Sequence, residues 1–298
     1  MLATLSLTTP LHASRGWQVR PACRMASIDL DKNGSVGRMV EAKAVIVTGG
    51  AGGIGKSTVR RLLDSGHAVF AIDASQGALD ALKSEFTASA DRLDVCHADV
   101  TDERQVVDAV KRADNRFGSL YALVHIAGGA GPKRARDIEE FDLKDWSHVI
   151  DLNLTSAFLA ARAVVPLLRR QRRGRIVLFS SIIADGEKGP LTTVTGRLPY
   201  ATAKAALLGF TSQLAKDLAE WGVTVNALMP GLILGEQGTR IRDRFDRLQP
   251  EERAALLGGY PAGKPGSGDD IAAVVEFLLS DSAGFISGVA LPVDGAYR

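Results

Sequence analysis

The sequence predicts an α/β protein built on one doubly wound parallel sheet, with a ligand crevice at the carboxyl ends of its strands. Three observations carry this. From Lys43 onward short β-branched runs alternate with longer stretches of helical spacing, a glycine-rich turn joins the first strand to the first helix, and no composition break divides the chain. Ala44–Thr48, Ala68–Ile72, Leu120–Ile126, Arg175–Phe179 and Val223–Leu228 are short, nearly continuous apolar runs. That is the pattern of strands covered by helices on both faces. Gly55–Ser65, Gln105–Phe117, Trp146–Arg170 and Ala201–Trp221 supply the helices between them, joined by right-handed crossovers. One domain is expected over residues 41–298.

Residues 1–40 read differently. Met1 to Ile28 holds no acidic residue, and Arg15, Arg20 and Arg24 are scattered among Ser, Thr and Ala. This composition resembles an organelle transit peptide, whereas the apolar start Met1–Leu7 lacks the preceding basic residue of a secretory signal. The alternative is a leader from a start codon set too far upstream, since Met25 and Met39 both precede the folded part. Either way a non-structural N-terminal leader is expected. The expected location is cytoplasmic, or an organelle if the leader is a transit peptide.

Composition narrows the function classes. Hydrophobic residues are 46% of the 298 and charged residues 23%, ordinary for a globular chain and unlike a disordered one. No apolar run approaches about 18 residues, so no membrane span is expected. The net charge of +2 carries no footprint of a nucleic-acid binder. Arg169–Arg175 (RRQRRGR) is a short run ending a helix, where cations complement the dipole and Gly174 can terminate it. Cys23 and Cys96 make no disulfide framework, no Cys/His set has zinc-site spacing, and no metal is expected. The 31 glycines point to tight turns and close backbone approaches to a ligand.

Thr48-Gly49-Gly50-Ala51-Gly52-Gly53-Ile54-Gly55 follows the first strand and opens a helix. Glycines in that place let backbone N–H groups approach a pyrophosphate, which the helix N-terminus then favours. Thr48, Gly49, Gly53, Ile54 and Gly55 are therefore candidate cofactor contacts. The second strand ends in Asp73, whose carboxylate can accept from both hydroxyls of an adenosine ribose and would repel a 2′-phosphate. No Arg or Lys precedes Ile54 in the loop, so NAD is preferred to NADP. The competing reading of Asp73 is a helix N-cap. Further along, Tyr200 and Lys204 stand at i and i+4, on one helix face. A cation beside a phenol stabilises phenolate and suits it to proton transfer.

With Asp99-Val100, Ala127-Gly128, Asn153, Ser180-Ser181, Tyr200–Lys204, Asn226–Gly231 (NALMPG) and Ile286–Gly295 (ISGVALPVDG) in order after the glycine loop, the chain resembles the short-chain dehydrogenase/reductase family, in its classical branch, over residues 43–298. The resemblance implies a Rossmann-type domain with a small substrate lid. It implies that Tyr200 is the general acid/base, that Lys204 lowers its pKa and meets the nicotinamide ribose, and that Ser181, rather than Ser180, orients the substrate oxygen. Asn153 would hold a water linking Lys204 to solvent. Asp99 and Val100 would flank the adenine, Ala127 and Gly128 the adenosine-side ribose, and Pro230, Gly231 and Ile233 the nicotinamide. Relatives are usually tetramers, so a homotetramer is expected.

Departures from the family pattern are also legible. His125-Ile126 stands where two Asn are common, and His125 reads as a packed, locally bonded residue. Gly235 stands where a Thr often contacts the carboxamide, and the stretch from Ser181 to Tyr200 is longer than usual; its extra segment Asp185–Arg197 is expected beside the substrate pocket, or else as a plain surface loop. In the lid region Ile241, Phe245 and Leu248 have the spacing of a short amphipathic helix. Arg240, Arg242, Arg244 and Arg247 on it could attract a carboxylate or phosphate, but interleaved Glu236, Asp243 and Asp246 favour a solvated face. The leading expectation is an NAD-dependent oxidoreductase interconverting a secondary alcohol and a ketone on a small hydroxylated or oxo substrate. The alternative is a 3-oxoacyl-thioester (acyl-carrier-protein) reductase using NADPH, and a remote one is a non-catalytic NAD-binding regulator.

Overall fold

The computed structural model describes residues 43–188 and 196–298. The leader and the centre of the 185–197 insertion lie outside the described residues. In chain order the elements are β1 (Ala44–Thr48), α1 (Gly53–Asp64), β2 (Ala68–Asp73), α2 (Gln76–Glu85), β3 (Leu93–His97), α3 (Glu103–Phe117), β4 (Leu120–His125), α4 (Leu143–Ile150), α5 (Ser156–Gln171), β5 (Gly174–Phe179), α6 (Arg197–Leu218), β6 (Val223–Pro230), β7 (Ile233–Leu234), α7 (Arg240–Asp246), α8 (Pro250–Gly258), β8 (Gly266–Ser267), α9 (Gly268–Leu279) and β9 (Ala290–Val293). Seven strands form a parallel sheet in the order β3-β2-β1-β4-β5-β6-β9. The order reverses at β1, where Thr48 pairs with Ile72 of β2 on one side and His125 of β4 on the other. In doubly wound sheets a crevice opens at such a switch point, past the carboxyl ends of the strands.

Strand periodicity divides the core. Ile46, Phe70 and Ile176 point to the face covered by α3, α5 and α6, through Val110, Val164 and Leu207 among others. Val45, Val47 and Val69 point the opposite way, towards Leu62 of α1 and Ile271 and Val275 of α9. A third apolar group, built by Ile182, Ile183, Leu232, Phe245 and Tyr260, lies beneath α7 and α8. Ile241 and Leu248 pack against it; the expected lid helix forms over Arg240–Asp246 and ends before Leu248.

Sequence and structure part company at four places. β3 was not expected: its residues LDVCH contain no apolar run, because an edge strand is covered less fully, and its burial alternates irregularly. The expected helix Trp146–Arg170 is α4 and α5 joined by a π-helical turn at Asp151–Thr155. That continuous helical run, Leu143–Gln171, is long and apolar enough to cross a membrane, with mean hydropathy 1.3, contrary to the expectation of no such segment. Ala157, Ala160, Val164 and Leu168 of its second half are nevertheless buried against the sheet, as in a core helix. Finally, Gly174 does not end α5. Arg172 takes the left-handed cap conformation at φ 50°, while Gly174 begins β5 with Leu168 packed on it. The arginine run is spent on local contacts: Arg169 and Arg172 lie over the Trp221 ring and Arg173 pairs with Asp281 at 2.7 Å.

Candidate active site

A cleft of about 810 Å³ runs across the carboxyl ends of the strands. Its floor at one end is the β1–α1 turn. Gly49 sits there at φ 65°, and a Cβ on it would fall 2.9 Å from the Ala127 backbone nitrogen. A Cβ on Gly55 would collide with the Gly49 carbonyl, so the turn and the first turn of α1 close on each other only as glycines. Gly49, Gly53, Ile54 and Gly55 line the cleft; Thr48 does not. Its hydroxyl lies behind the wall, 2.9 Å from His125 Nδ1, and accepts from the Ala127 N–H. The other ring nitrogen of His125 meets Ser156 Oγ at 3.1 Å, so the histidine is buried and bonded locally on both sides.

Asp73 ends β2 at the edge of the same turn. Its Oδ2 accepts from the Ala51 N–H at 3.1 Å and its Oδ1 from the Ser75 N–H at 3.0 Å. The N-cap of α2 is Ser75, so Asp73 is not the cap. Asp99 and Val100 line the cleft nearby, as do Ala127 and Gly128 further in. The space above the glycine turn, the dipole of the twelve-residue α1 aimed into it, and a fixed carboxylate beyond suit the pyrophosphate and adenosine ribose of a dinucleotide. Among the described residues no cluster of acids, Cys and His could hold a metal ion.

The opposite end holds Ser181, Tyr200 and Lys204, with Pro230, Gly231 and Ile233 across from them. The sequence places Tyr200 in the first turn of α6 and Lys204 one turn later. Helix and strand are locked in register by the Ser180 hydroxyl, which donates to the Lys204 carbonyl at 2.7 Å. Ser180 is therefore occupied, while the Ser181 hydroxyl accepts from the Ile183 N–H and hydrogen-bonds the Tyr200 phenol. Lys204 Nζ donates to the Phe179 carbonyl at 2.6 Å and lies 5.4 Å from the Tyr200 ring centroid. Burial lowers the Lys204 pKa to about 7. Burial pushes the Tyr200 phenol up, opposed by the Ser181 hydrogen bond and then by the charge of Arg240.

Asn153 stands behind this wall rather than on it. Its Oδ1 accepts from the Gly129 N–H at 3.0 Å, and its Nδ2 donates to the carbonyls of Gly129 and Val149, both at 2.8 Å. It thereby clasps the loop after β4 to the π-helical turn. A Cβ on Gly128 would fall 2.6 Å from Asn153 Oδ1 and 3.2 Å from Lys204 Nζ, so this glycine is what lets the two side chains approach.

The family model for short chain dehydrogenase matches residues 43–244. This chain belongs to the short-chain dehydrogenase family. Similar proteins include the 3-oxoacyl-[acyl-carrier-protein] reductase FabG of Thermotoga maritima, 31% identical over 86% of this chain and 98% of that one. Another is the (2S)-[(R)-hydroxy(phenyl)methyl]succinyl-CoA dehydrogenase subunit BbsD of Thauera aromatica, 33% identical over 86% and 96%. Among solved structures, gox2181 superposes with a TM-score of 0.78 at 27% identity, over 87% of this chain and 96% of that one. ElxO with NADP bound gives 0.75 at 26%, over 86% and 98%. A dehydrogenase of this family is an enzyme that binds a nicotinamide dinucleotide and acts on CH–OH or keto groups, which sets the regulator reading aside.

Several wall residues of this short-chain dehydrogenase had no sequence signal. Ile182, Ile183, Leu232 and Tyr260 line the substrate end although no motif contains them. Thr239 is more instructive. A Cβ on Gly235 would fall 2.9 Å from Thr239 Oγ1, and one on Gly53 would fall 3.6 Å from its methyl. Gly235 therefore makes room for a threonine from four residues further on, at the place where the family often carries its own.

Proposed function

We propose that this short-chain dehydrogenase interconverts a secondary alcohol and a ketone on a small hydroxylated or oxo substrate, with NAD as its cofactor. The observation that carries the cofactor reading is Asp73, whose carboxylate is held by two backbone N–H groups at the rim of the glycine turn. A 2′-phosphate there would meet a fixed negative charge. The cations lining the cleft among the described residues are Lys204 and Arg240, both at the other end.

A bound nicotinamide dinucleotide supplies or accepts the hydride. Everything else falls to the chain. In reduction the Tyr200 phenol gives its proton to the carbonyl oxygen as the hydride reaches the carbon, and solvent returns a proton to the phenolate. In oxidation the same oxygen takes the alcohol proton. Ser181, already bonded to Tyr200, orients the substrate oxygen between the two hydroxyls. A protonated Lys204, one turn along the helix, favours the phenolate.

Reduction of a 3-oxoacyl thioester with NADPH is the second reading. It is supported by the likeness to the Thermotoga maritima 3-oxoacyl-[acyl-carrier-protein] reductase and to the NADP-bound ElxO structure. One assay separates the two. Polyols, hydroxy acids, cyclic alcohols and a 3-oxoacyl thioester are each followed at neutral pH with NAD(H) and with NADP(H). Oxidation of a polyol or hydroxy acid with NAD is expected; thioester reduction that requires NADPH would replace the first reading by the second. Tyr200→Phe should lower kcat by roughly 10²–10⁴-fold with the cofactor Kd unchanged. Retention of most of the activity would sink the assignment of Tyr200.

A further inference from the structure

Arg240 opens α7 in the lid and turns its head group into the cleft. A Cβ on the buried Gly129 would fall 2.8 and 2.9 Å from its two terminal nitrogens, so the guanidinium lies directly on that backbone. Gly129 is the residue clasped by Asn153, and Arg240 lines the same end of the cleft as Ser181 and Tyr200. None of the acids that the sequence interleaves with the lid arginines pairs with Arg240. Glu236 pairs with Lys56 at 2.7 Å and Arg60 at 2.9 Å, Asp246 pairs with Arg242 at 2.8 Å, and Asp243 accepts from the Gly238 N–H. Glu187, the acid on the cleft wall nearest the substrate end, pairs with Arg197 at 2.8 Å. Among the described residues no carboxylate lies within ion-pair distance of Arg240. Its neighbours add to the positive potential: the charges of Arg240, Arg134 and Arg247 all bear on Arg244. The charge-balanced, solvated face holds for Arg242, which pairs with Asp246, while Arg240 lines the cleft instead.

We propose that Arg240 selects an anionic substrate, pairing its planar guanidinium with the two oxygens of an anionic group, such as the carboxylate of a hydroxy or oxo acid, while Tyr200 and Ser181 hold the reacting oxygen. The proposal rests on the alcohol–ketone reading of the same site. A guanidinium lying on the Gly129 backbone, with no carboxylate partner among the described residues, is arranged for bidentate oxyanion recognition. Without Arg240 an anion at that place would find little to hold it: the other cation that lines the cleft among the described residues, Lys204, donates to the Phe179 carbonyl.

The test compares 3-hydroxybutyrate with its methyl ester and with glycerol 3-phosphate, in the wild-type enzyme and in Arg240→Gln and Arg240→Lys. Wild type should favour one of the two anions over the ester in kcat/KM. Arg240→Gln should reduce that anion's kcat/KM by roughly ten- to hundredfold and leave the ester within about threefold, since a hydrogen bond to a charged group contributes about 1.5–3 kcal/mol. Arg240→Lys should restore part of the loss, and which anion is affected tells carboxylate from phosphate. An equal loss on ester and anion, no preference in wild type, or a weakened NADH Kd in Arg240→Gln would overturn the proposal. Equilibrium binding of 3-hydroxybutyrate and glycerol 3-phosphate, read by the fluorescence of bound NADH, is measured alongside. If nothing turns over, the alcohol–ketone reading fails, yet anion binding lost in Arg240→Gln still supports the arginine's role and unaltered binding still overturns it.

Discussion

His125 lies at the switch point of the sheet with both ring nitrogens bonded and its pKa lowered to about 3, chiefly by burial and then by the charge of Lys204. A base whose folded pKa lies below its unfolded value of about 6.5 is protonated first in the unfolded chain, so stability falls as pH drops through the window from about 6.5 to about 3. Replacing it with Asn keeps a polar group between Thr48 and Ser156 and removes the titration. In urea melts at pH 7 and pH 4, His125→Asn should lose less stability between the two than wild type, by about 3 kcal/mol. Identical losses would mean that His125 does not govern the acid limb. Its role was legible in sequence as a packed residue, because a strand buried on both faces leaves a histidine little else. Its two partners were not, since Thr48 and Ser156 stand 77 and 31 residues away.

At the scale of elements, the informative feature is the π-helical turn between α4 and α5. Asn153 takes the Val149 carbonyl with its side chain and reaches across to both polar groups of the Gly129 peptide positions. Asn153→Ala would leave those buried groups without partners, at about 1–3 kcal/mol for each one that water cannot reach. Denaturation should show a loss of several kcal/mol. The same variant should lower kcat, because the Gly129 backbone that Arg240 rests on would no longer be held. Unchanged stability would show that the clasp is dispensable. Spacing alone made α4 and α5 one helix, since the apolar residues run through without a break. The interruption follows from a contact with a loop more than twenty residues earlier, which periodicity does not record. The lid shows the opposite case: Ile241 and Phe245 form the expected face of α7, and Leu248, just past its end, packs on the same apolar patch, because an amphipathic helix is a local pattern.

For the molecule as a whole, the sheet places the Asp73 carboxylate at one end of the cleft and Tyr200 at the other, so on the proposed function cofactor choice reads out as stability. A ligand present at 100 times its Kd stabilises the folded state by about 2.7 kcal/mol. NAD should therefore raise Tm more than NADP at equal concentration, and Asp73→Ser should narrow or reverse the difference. A larger rise with NADP in the wild type would transfer the proposal to the NADPH reading. We propose a homotetramer on the family resemblance, in keeping with the exposure of Phe158 on α5 and Phe285 near β9; light scattering at micromolar concentration should give four times the chain mass. A monomer would remove that expectation without touching the site.

What the sequence by itself determined is the alternation of strands β1, β2, β4, β5 and β6 with helices, the glycine turn, Asp73, the Tyr200–Lys204 pair and, by resemblance, Ser181. All but Ser181, which rested on the family resemblance, are encoded by spacing within one element or one turn, where backbone geometry turns sequence distance into direction. Tertiary structure alone decided the rest. It put Thr48 and Asn153 behind the wall, took Ser180 into the α6 contact, set Thr239 beside Gly235, and paired Glu236 and Asp246 with cations other than Arg240. Those outcomes depend on which residues of distant elements meet, and a side chain near a site becomes part of it only when no closer partner satisfies its charge or hydrogen bonds.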